Sequence, residues 1–217
     1  MREPDNIRAV CSLPVDMMGF IFYPKSPRYV KSISTHAGII PNMSDHKVME
    51  AVTTPRRVGV FVDEMPQTVI THAYNYKLDY LQLHGNESPI YIDNLRRTII
   101  PDILPNIKII KALSIASTSD LEKCAAYEGH VEMFLFDTQC KEYGGSGRQF
   151  NWDILQSYRG NIPFLLSGGI KPDDAQRIMD FHHPMMAGID VNSGFEDEPG
   201  IKNIDKLKEF ITNIKNK

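Results

Sequence analysis

The stretch MREPDNIRAVCSLPVDMMGFIF, residues 1–22, places a helix directly before a buried strand. Pro4, Asp5 and Asn6 are typical of a helix N-terminus, and apolar residues follow them at helical spacing. The run DMMGFIF (16–22) is instead continuously apolar, as in strands that are buried on both faces of a parallel sheet. A helix followed by such a strand predicts an α/β fold.

The same kind of apolar run recurs six more times along the chain. These runs are RVGVFV (57–62), LDYLQLHG (78–85), IKIIKAL (107–113), VEMFLFD (131–137), IPFLLSGG (162–169) and MMAGIDV (185–191). Segments long enough for a helix lie at 64–76, 87–99, 117–129 and 171–181, and NIDKLKEFITNIK (203–215) follows the last run. A further helix is expected within the longest gap, 23–56. The pattern predicts consecutive βα units in a single domain over residues 1–217.

Seven strands with a helix before the first and another after the last fit an eight-fold barrel better than an open sheet. We therefore expect a TIM (β/α)8 barrel in which strand 1 is missing from this chain. The opening helix would then be the one that follows strand 1, and seven strands are expected in the structure.

Composition restricts the class of partner. The formal net charge is −3 and the pI is near 6.2, and Lys and Arg are scattered, which argues against a nucleic-acid surface. No apolar run is long enough to span a bilayer, so the expected partner is a small molecule rather than a membrane. Cys11, Cys124 and Cys140 are odd in number and lack CxxC spacing, which favours a reducing cytoplasm. We expect a monomer or a weak homodimer, because the edges of an unclosed barrel could associate.

Glycine-bearing turns follow the last strands. Active sites of parallel βα barrels gather at the carboxyl ends of strands, where LSGGIKPDDA (166–175) and DVNSGFE (190–196) lie. Glycine lets backbone N–H groups approach an anion, so these turns read as two halves of a phosphate cradle, although each alone could be a plain tight turn. GGSG (144–147) reads as a lid, a further cradle wall or simply a flexible loop.

Four side chains at strand ends are candidates for chemistry. Asp137 ends an apolar run, so its carboxyl should emerge at the barrel mouth as a general acid, unless it only caps the following turn. Arg28 can bind a carboxylate bidentately or be a solvated loop charge. Gln82 and His84 lie two residues apart on one strand, so their side chains point the same way. If that way is inward, they either contact substrate or fill the barrel, and we favour structural support for His84.

Together these residues resemble the phosphoribosylanthranilate isomerase family over essentially the whole chain. The matching motifs, in the order and spacing of the family, are GFIFYPKSPRYV (19–30), RVGVFVDE (57–64), LDYLQLHGNESP (78–89), IIKAL (109–113), FLFDT (134–138), GGSGRQFNWDIL (144–155), LSGGI (166–170) and GIDVNSGFEDEPGIKN (188–203). The resemblance implies a TIM barrel that performs an Amadori rearrangement of N-(5-phosphoribosyl)anthranilate in tryptophan biosynthesis.

The resemblance also implies roles for individual residues. Asp137 would be the general acid, and Arg28 would hold the anthranilate carboxylate. Backbone groups around the following residues would hold the phosphate: Gly145, Gly168, Gly169, Asp190, Ser193 and Gly194. No metal and no redox cofactor is implied.

One part of the family pattern is missing. The general base of the family is a cysteine in a Lys-x-Cys-Gly motif at the end of strand 1, and this chain begins after that point. Cys11 and Cys124 fall on helices, and a rescue role for Cys140 matches nothing in the family. Loss of a general base typically costs about 10²–10⁴-fold in rate, so impaired activity is expected. A non-catalytic phosphate-ligand-binding barrel, or a related enzyme such as indole-glycerol-phosphate synthase, are the alternatives.

Overall fold

The computed structural model describes residues 1–30, 55–138 and 151–215. Its α-helices are α1 (Pro4–Cys11), α2 (Pro66–Asn75), α3 (Pro89–Ile99), α4 (Ala175–Asp180) and α5 (Ile204–Lys215). Its strands are β1 (Met17–Ile21), β2 (Arg56–Phe61), β3 (Tyr80–Leu83), β4 (Lys108–Ser114), β5 (Met133–Asp137), β6 (Phe164–Ser167), β7 (Met186–Ile189), β8 (Glu196–Glu198) and β9 (Ile201–Lys202). Four 3-10 helices cover Thr118–Tyr127, Trp152–Ser157, Pro172–Asp174 and Ser193–Phe195.

Strands β1 to β7 form one parallel sheet in sequence order, which confirms the α/β fold and all seven predicted strands. The expectation that strand 1 is missing is not supported, because the sheet has a strand of its own in first position, β1. Helix α1 is tied to the far end of the chain, since the Asn6 side chain exchanges two hydrogen bonds with the backbone of Lys202.

The two faces of the sheet are packed differently. The inner face carries a small apolar cluster of Val58, Tyr80, Ile110, Ala112 and Leu135. The outer face packs against the helices. The buried side chains of this layer include Phe61, Leu81, Leu83, Ile109, Phe134, Phe136 and Phe164 from the strands, and Ile92, Leu95 and Phe210 from α3 and α5. Each such side chain contributes about 1.5–3 kcal/mol by leaving water. The packed sheet and helices therefore fix the positions of the strand ends and of the side chains that follow them.

The helices predicted at 64–76, 87–99 and 203–215 are present, but two others differ from the prediction. The segment predicted as a helix at 117–129 is a 3-10 helix, whose buried residues Leu121 and Cys124 lie three apart. That spacing matches the three residues per turn of a 3-10 helix, so Leu121 and Cys124 lie on the same side of the segment and pack together against the core. The segment predicted at 171–181 divides into a short 3-10 helix and the six-residue α4.

A small hairpin after the sheet was not predicted. Strands β8 and β9 pair antiparallel, and Gly200 makes the turn between them with a φ of +88°. Glu196–Glu198 is charged throughout and lacks the apolar alternation that marks a strand, so its pairing has no signal in the sequence.

The predicted helix within 23–56 falls mostly outside the described residues, as do Cys140, Gly145 and the GGSG motif. Within the described part of the chain, no helix has the length and hydropathy that would let it cross a membrane.

Candidate active site

Asp137 lies at the carboxyl end of β5, where it faces Ser167 at the end of β6. Leu135, two residues earlier, belongs to the inner cluster of the sheet. Because side chains alternate along a strand, Asp137 also points to the inner face, at the carboxyl end of the sheet. Its side chain is 14% exposed, so the carboxyl is largely shielded from water but still accessible to a ligand.

His84 stands next to this carboxyl. Its Nε2 is 3.7 Å from Asp137 Oδ2, and its Nδ1 is 3.2 Å from the amide oxygen of Gln82. Since an amide oxygen only accepts, Nδ1 carries the hydrogen and donates it to Gln82, which leaves Nε2 of a neutral ring as an acceptor facing Asp137. The side chains of Gln82 and His84 do point the same way, and that way is towards the candidate acid.

Lys111 fixes the backbone on both sides of His84. The Lys111 ammonium donates to the carbonyl oxygens of Leu83 (3.0 Å) and Gly85 (2.7 Å) and to the Glu87 carboxylate (3.1 Å). Glu87 in turn accepts from the Gly85 N–H, and both charged side chains are at most 2% exposed. Burial lowers the pKa of Lys111, although Glu87 acts in the opposite direction. The backbone on both sides of His84 is therefore held by a buried ion pair.

The turn after β6 is shaped for the close approach of another group. Gly168 and Gly169 have φ values of +102° and +65°, and a Cβ on Gly168 would lie 2.6 Å from the Thr138 nitrogen. Only glycine fits there without strain. Within the described residues, the N–H groups of Gly168, Gly169 and Ile170 donate no hydrogen bond. These three donors are available to an anion.

The loop after β7 meets this turn. A Cβ on Gly194 would lie 2.4 Å from the Ile170 carbonyl oxygen, so glycine allows the two loops to touch. Ser193 and Gly194 begin the 3-10 helix at Ser193–Phe195. We name the segment 168–171 the β6 loop and the segment 190–194 the β7 loop. The structure thus brings the two predicted halves of the phosphate cradle together.

Asp190, around which backbone groups are predicted to hold the phosphate, also has a side chain with a partner at the strand ends. Its carboxylate accepts a hydrogen bond of 3.2 Å from the Ser167 hydroxyl. Burial raises the pKa of the Asp190 carboxyl, although Lys202 and Ser167 act in the opposite direction. Ser167 is also the register partner of Asp137, so the two acids lie at the same end of the sheet. The side chain of Asp190 is therefore a second carboxyl of the candidate active site.

Arg28 is already engaged along one edge of its guanidinium. Its Nε donates to both Glu196 oxygens (3.0 and 2.9 Å), and its Nη2 donates to Oε2 (2.6 Å). The other edge, formed by Nη1 and the second Nη2 hydrogen, donates nothing within the described residues. The guanidinium has five N–H donors, so Arg28 can still bind a second carboxylate through this other edge. Sequence reasoning missed Glu196, which follows the glycine motif of the β7 loop.

The two described cysteines lie apart from this group of residues. Cys11 ends α1, and burial raises the pKa of its thiol although the neighbouring Arg57 lowers it. Cys124 lies in the 3-10 helix at Thr118–Tyr127, and burial raises its pKa to about 12. Cys124 is buried in the core, and Cys11 is partly buried against it.

Comparisons with known proteins point to one enzyme family. The family model described as N-(5'phosphoribosyl)anthranilate (PRA) isomerase matches residues 1–213. An N-(5'-phosphoribosyl)anthranilate isomerase of Parabacteroides distasonis is 49% identical over 99% of this chain and 90% of the relative, and one of Phocaeicola vulgatus is 42% identical over 100% and 96%.

Solved structures of phosphoribosyl anthranilate isomerase resemble the fold as well. The enzyme of Thermotoga maritima superposes with a TM-score of 0.72 at 31% identity, over 100% of this chain and 96% of that one. Another structure of a phosphoribosyl anthranilate isomerase, in complex with reduced 1-(o-carboxyphenylamino)-1-deoxyribulose 5-phosphate, has a TM-score of 0.68 at 29% identity, over 98% and 91%. The chain therefore belongs to the phosphoribosylanthranilate isomerase family, whose members are isomerases of tryptophan biosynthesis.

Proposed function

We propose that this chain converts N-(5-phosphoribosyl)anthranilate to 1-(2-carboxyphenylamino)-1-deoxyribulose 5-phosphate, with Asp137 as the general acid. The observation that carries this proposal is the inward-facing, largely shielded Asp137 carboxyl beside His84, 3.7 Å away. A carboxyl acid at the mouth of a parallel barrel is placed where substrates of this fold bind.

The chemistry needs a proton at the ring oxygen of the ribose. Asp137 would donate its proton to that oxygen as the C1′–O bond breaks, and the nitrogen lone pair would form the C=N bond of a Schiff base. A base then takes the C2′ proton to give an enolamine, and the enolamine relaxes to the ketone as C1′ gains a proton and the C2′ hydroxyl loses one. Among the described residues, the acceptors for the C2′ proton would be the Asp137 carboxylate that the first step leaves and the unprotonated Nε2 of His84, 3.7 Å away.

The two ends of this substrate are anionic, and the site has a place for each. The N–H groups of Gly168, Gly169 and Ile170, which donate no hydrogen bond to any described residue, would hold the phosphate together with Ser193 and Gly194. The edge of Arg28 that donates nothing within the described residues would hold the anthranilate carboxylate. Gly145, also predicted to contact the phosphate, lies outside the described residues.

A phosphorylated ligand of this type occupies the solved relative that contains the reduced product. This supports a phosphorylated small molecule as the partner of the present chain. Impaired activity through loss of an N-terminal cysteine, expected from the sequence, finds no support in the fold or in the comparisons.

Turnover of the substrate, followed by its fluorescence, tests the proposal. Asp137→Asn should lower kcat by about 10²–10⁴-fold and leave the affinity for the reduced product within a few-fold. Asp102→Asn is the matched control, because Asp102 is an exposed carboxylate between α3 and β4, at the opposite end of the sheet. A parent chain that binds the reduced product but shows no turnover would instead be a phosphate-ligand-binding barrel.

A further inference from the structure

The β8–β9 hairpin carries two charged residues that the proposed mechanism does not use. Glu196 is 5% exposed and accepts hydrogen bonds from Arg28, from the Gly200 N–H (3.1 Å) and from Lys202 Nζ (3.3 Å). Burial raises the pKa of the Glu196 carboxyl, but the Arg28 hydrogen bond and Lys202 outweigh it, so the net shift is downward. The carboxylate is thus an ionised and fixed platform for Arg28.

Lys202 connects this platform to the β7 loop. Its ammonium donates to the backbone carbonyl oxygen of Asn192 (2.9 Å) and to the Asn192 side-chain oxygen (2.8 Å), and it lies 3.5 Å from the Val191 carbonyl oxygen. The same ammonium contacts Glu196. The Lys202 side chain is only 10% exposed, so these contacts are made away from bulk water. One cation therefore joins the loop proposed for phosphate to the residue that holds Arg28.

We propose that Glu196 and Lys202 are positioning residues that fix the Arg28 guanidinium relative to the β7 loop. The site would then select ligands that carry a carboxylate and a phosphate at one set separation. This inference rests on the proposed function, since it assumes that Arg28 and the β7 loop each bind one end of the ligand.

Geometry favours positioning over competition for Arg28. Glu196 occupies the Nε edge of the guanidinium and leaves the end-on edge open, so it orients the fork without blocking it. Without the carboxylate, Arg28 would have to order its long side chain on binding, which costs rotamer entropy. If Glu196 were instead a competitor for Arg28, its removal would tighten the binding of the substrate carboxylate.

Three ligands distinguish binding at the carboxylate end of the site from binding at the phosphate end. They are the reduced product, its analogue without the carboxyl group, and ribose 5-phosphate. Calorimetry on Glu196→Gln should show the reduced product bound about 10- to 100-fold more weakly, because a charged hydrogen-bond pair no longer orients Arg28. The other two ligands should stay within about twofold, since they do not use Arg28. Lys202→Met should weaken all three, because Lys202 also holds the β7 loop.

Controls keep the result interpretable. Glu198→Gln alters an exposed carboxylate on the same hairpin and should change none of the affinities. Retained binding of ribose 5-phosphate shows that Glu196→Gln is folded. If that variant does not fold, Glu196→Asp replaces it, and its shorter carboxylate should still weaken the reduced product selectively because it cannot reach both Arg28 nitrogens.

Different outcomes overturn different claims. Equal loss of all three ligands in Glu196→Gln, unchanged affinities or tighter binding of the reduced product would each overturn the positioning role alone. A parent chain that binds the reduced product no better than its analogue without the carboxyl would refute Arg28 as the carboxylate site, and the inference with it.

Discussion

The buried pair of Lys111 and Glu87 gives the sharpest stability prediction. Lys111→Met keeps most of the side-chain volume but removes an ammonium that donates to three carbonyl oxygens and one carboxylate. The Glu87 side chain, 2% exposed, would lose its counter-charge and keep, among the described residues, the N–H groups of Asp63 and Gly85 as donors. Breaking a buried ion pair on one side costs about 3–5 kcal/mol.

That cost is a large fraction of the roughly 5–15 kcal/mol by which a domain is stable. Urea unfolding can be followed by the fluorescence of Trp152, the single tryptophan of the chain, which is 3% exposed. Lys111→Met should lower the free energy of unfolding by about 3–5 kcal/mol. Lys108→Met, at the exposed start of the same strand, should lower it by no more than about 1 kcal/mol.

The double variant tests the physical reason. In Lys111→Met/Glu87→Gln no charge is left buried without a partner. The free energy of unfolding lost in the double variant should therefore be smaller, by about 1–3 kcal/mol, than the sum of the losses in Lys111→Met and in Glu87→Gln. Purely additive losses, or a loss below about 1 kcal/mol for Lys111→Met alone, would refute a stabilising charge pair. Because Lys111 holds the carbonyls on both sides of His84, kcat should fall in Lys111→Met even where the protein is folded.

Three further outcomes are expected. Gly168→Ala should cost about 1–3 kcal/mol in urea unfolding and weaken ribose 5-phosphate binding, because it strains a φ of +102° and drives a Cβ into the Thr138 backbone. Asp190→Asn should raise the melting temperature at neutral pH and not near pH 3. The pKa of the Asp190 carboxyl is raised in the folded protein, so its contribution to stability is lost as the pH rises through that pKa and the carboxyl ionises. Cys11→Ser should leave turnover within about twofold, because the thiol lies at the end of α1 and takes no part in the site.

The fold was predictable because its signal is local and repeated. Each of the seven strands is a nearly continuous apolar run, and such runs are typical of strands that are buried on both faces of a parallel sheet. The hairpin of β8 and β9 was not predictable, since its residues are charged and it is held by contacts with Arg28 and Asn6, which are distant in sequence. The prediction of a missing strand came from a count rather than from a residue pattern, and the structure does not support it.

The candidate site was predictable in its positions and not in its connections. Asp137 and the two glycine turns stand at strand ends, and topology alone brings strand ends together. Lys111 gave a signal that went unused: a lysine in the centre of the apolar run IKIIKAL must find a buried partner or disrupt the strand, and Glu87 is that partner.

Glu196 offered no such signal, because a glutamate in a charged turn is ordinarily solvated, and only the fold shows that it is buried. The candidate catalytic and binding residues are therefore recognisable from the places where strands end. Glu196 is recognisable as a positioning residue only once the fold brings it to Arg28, 168 positions away in the sequence. For this reason the selective loss expected in Glu196→Gln is a test of the fold's contribution to specificity, separate from the test of Asp137 as the acid.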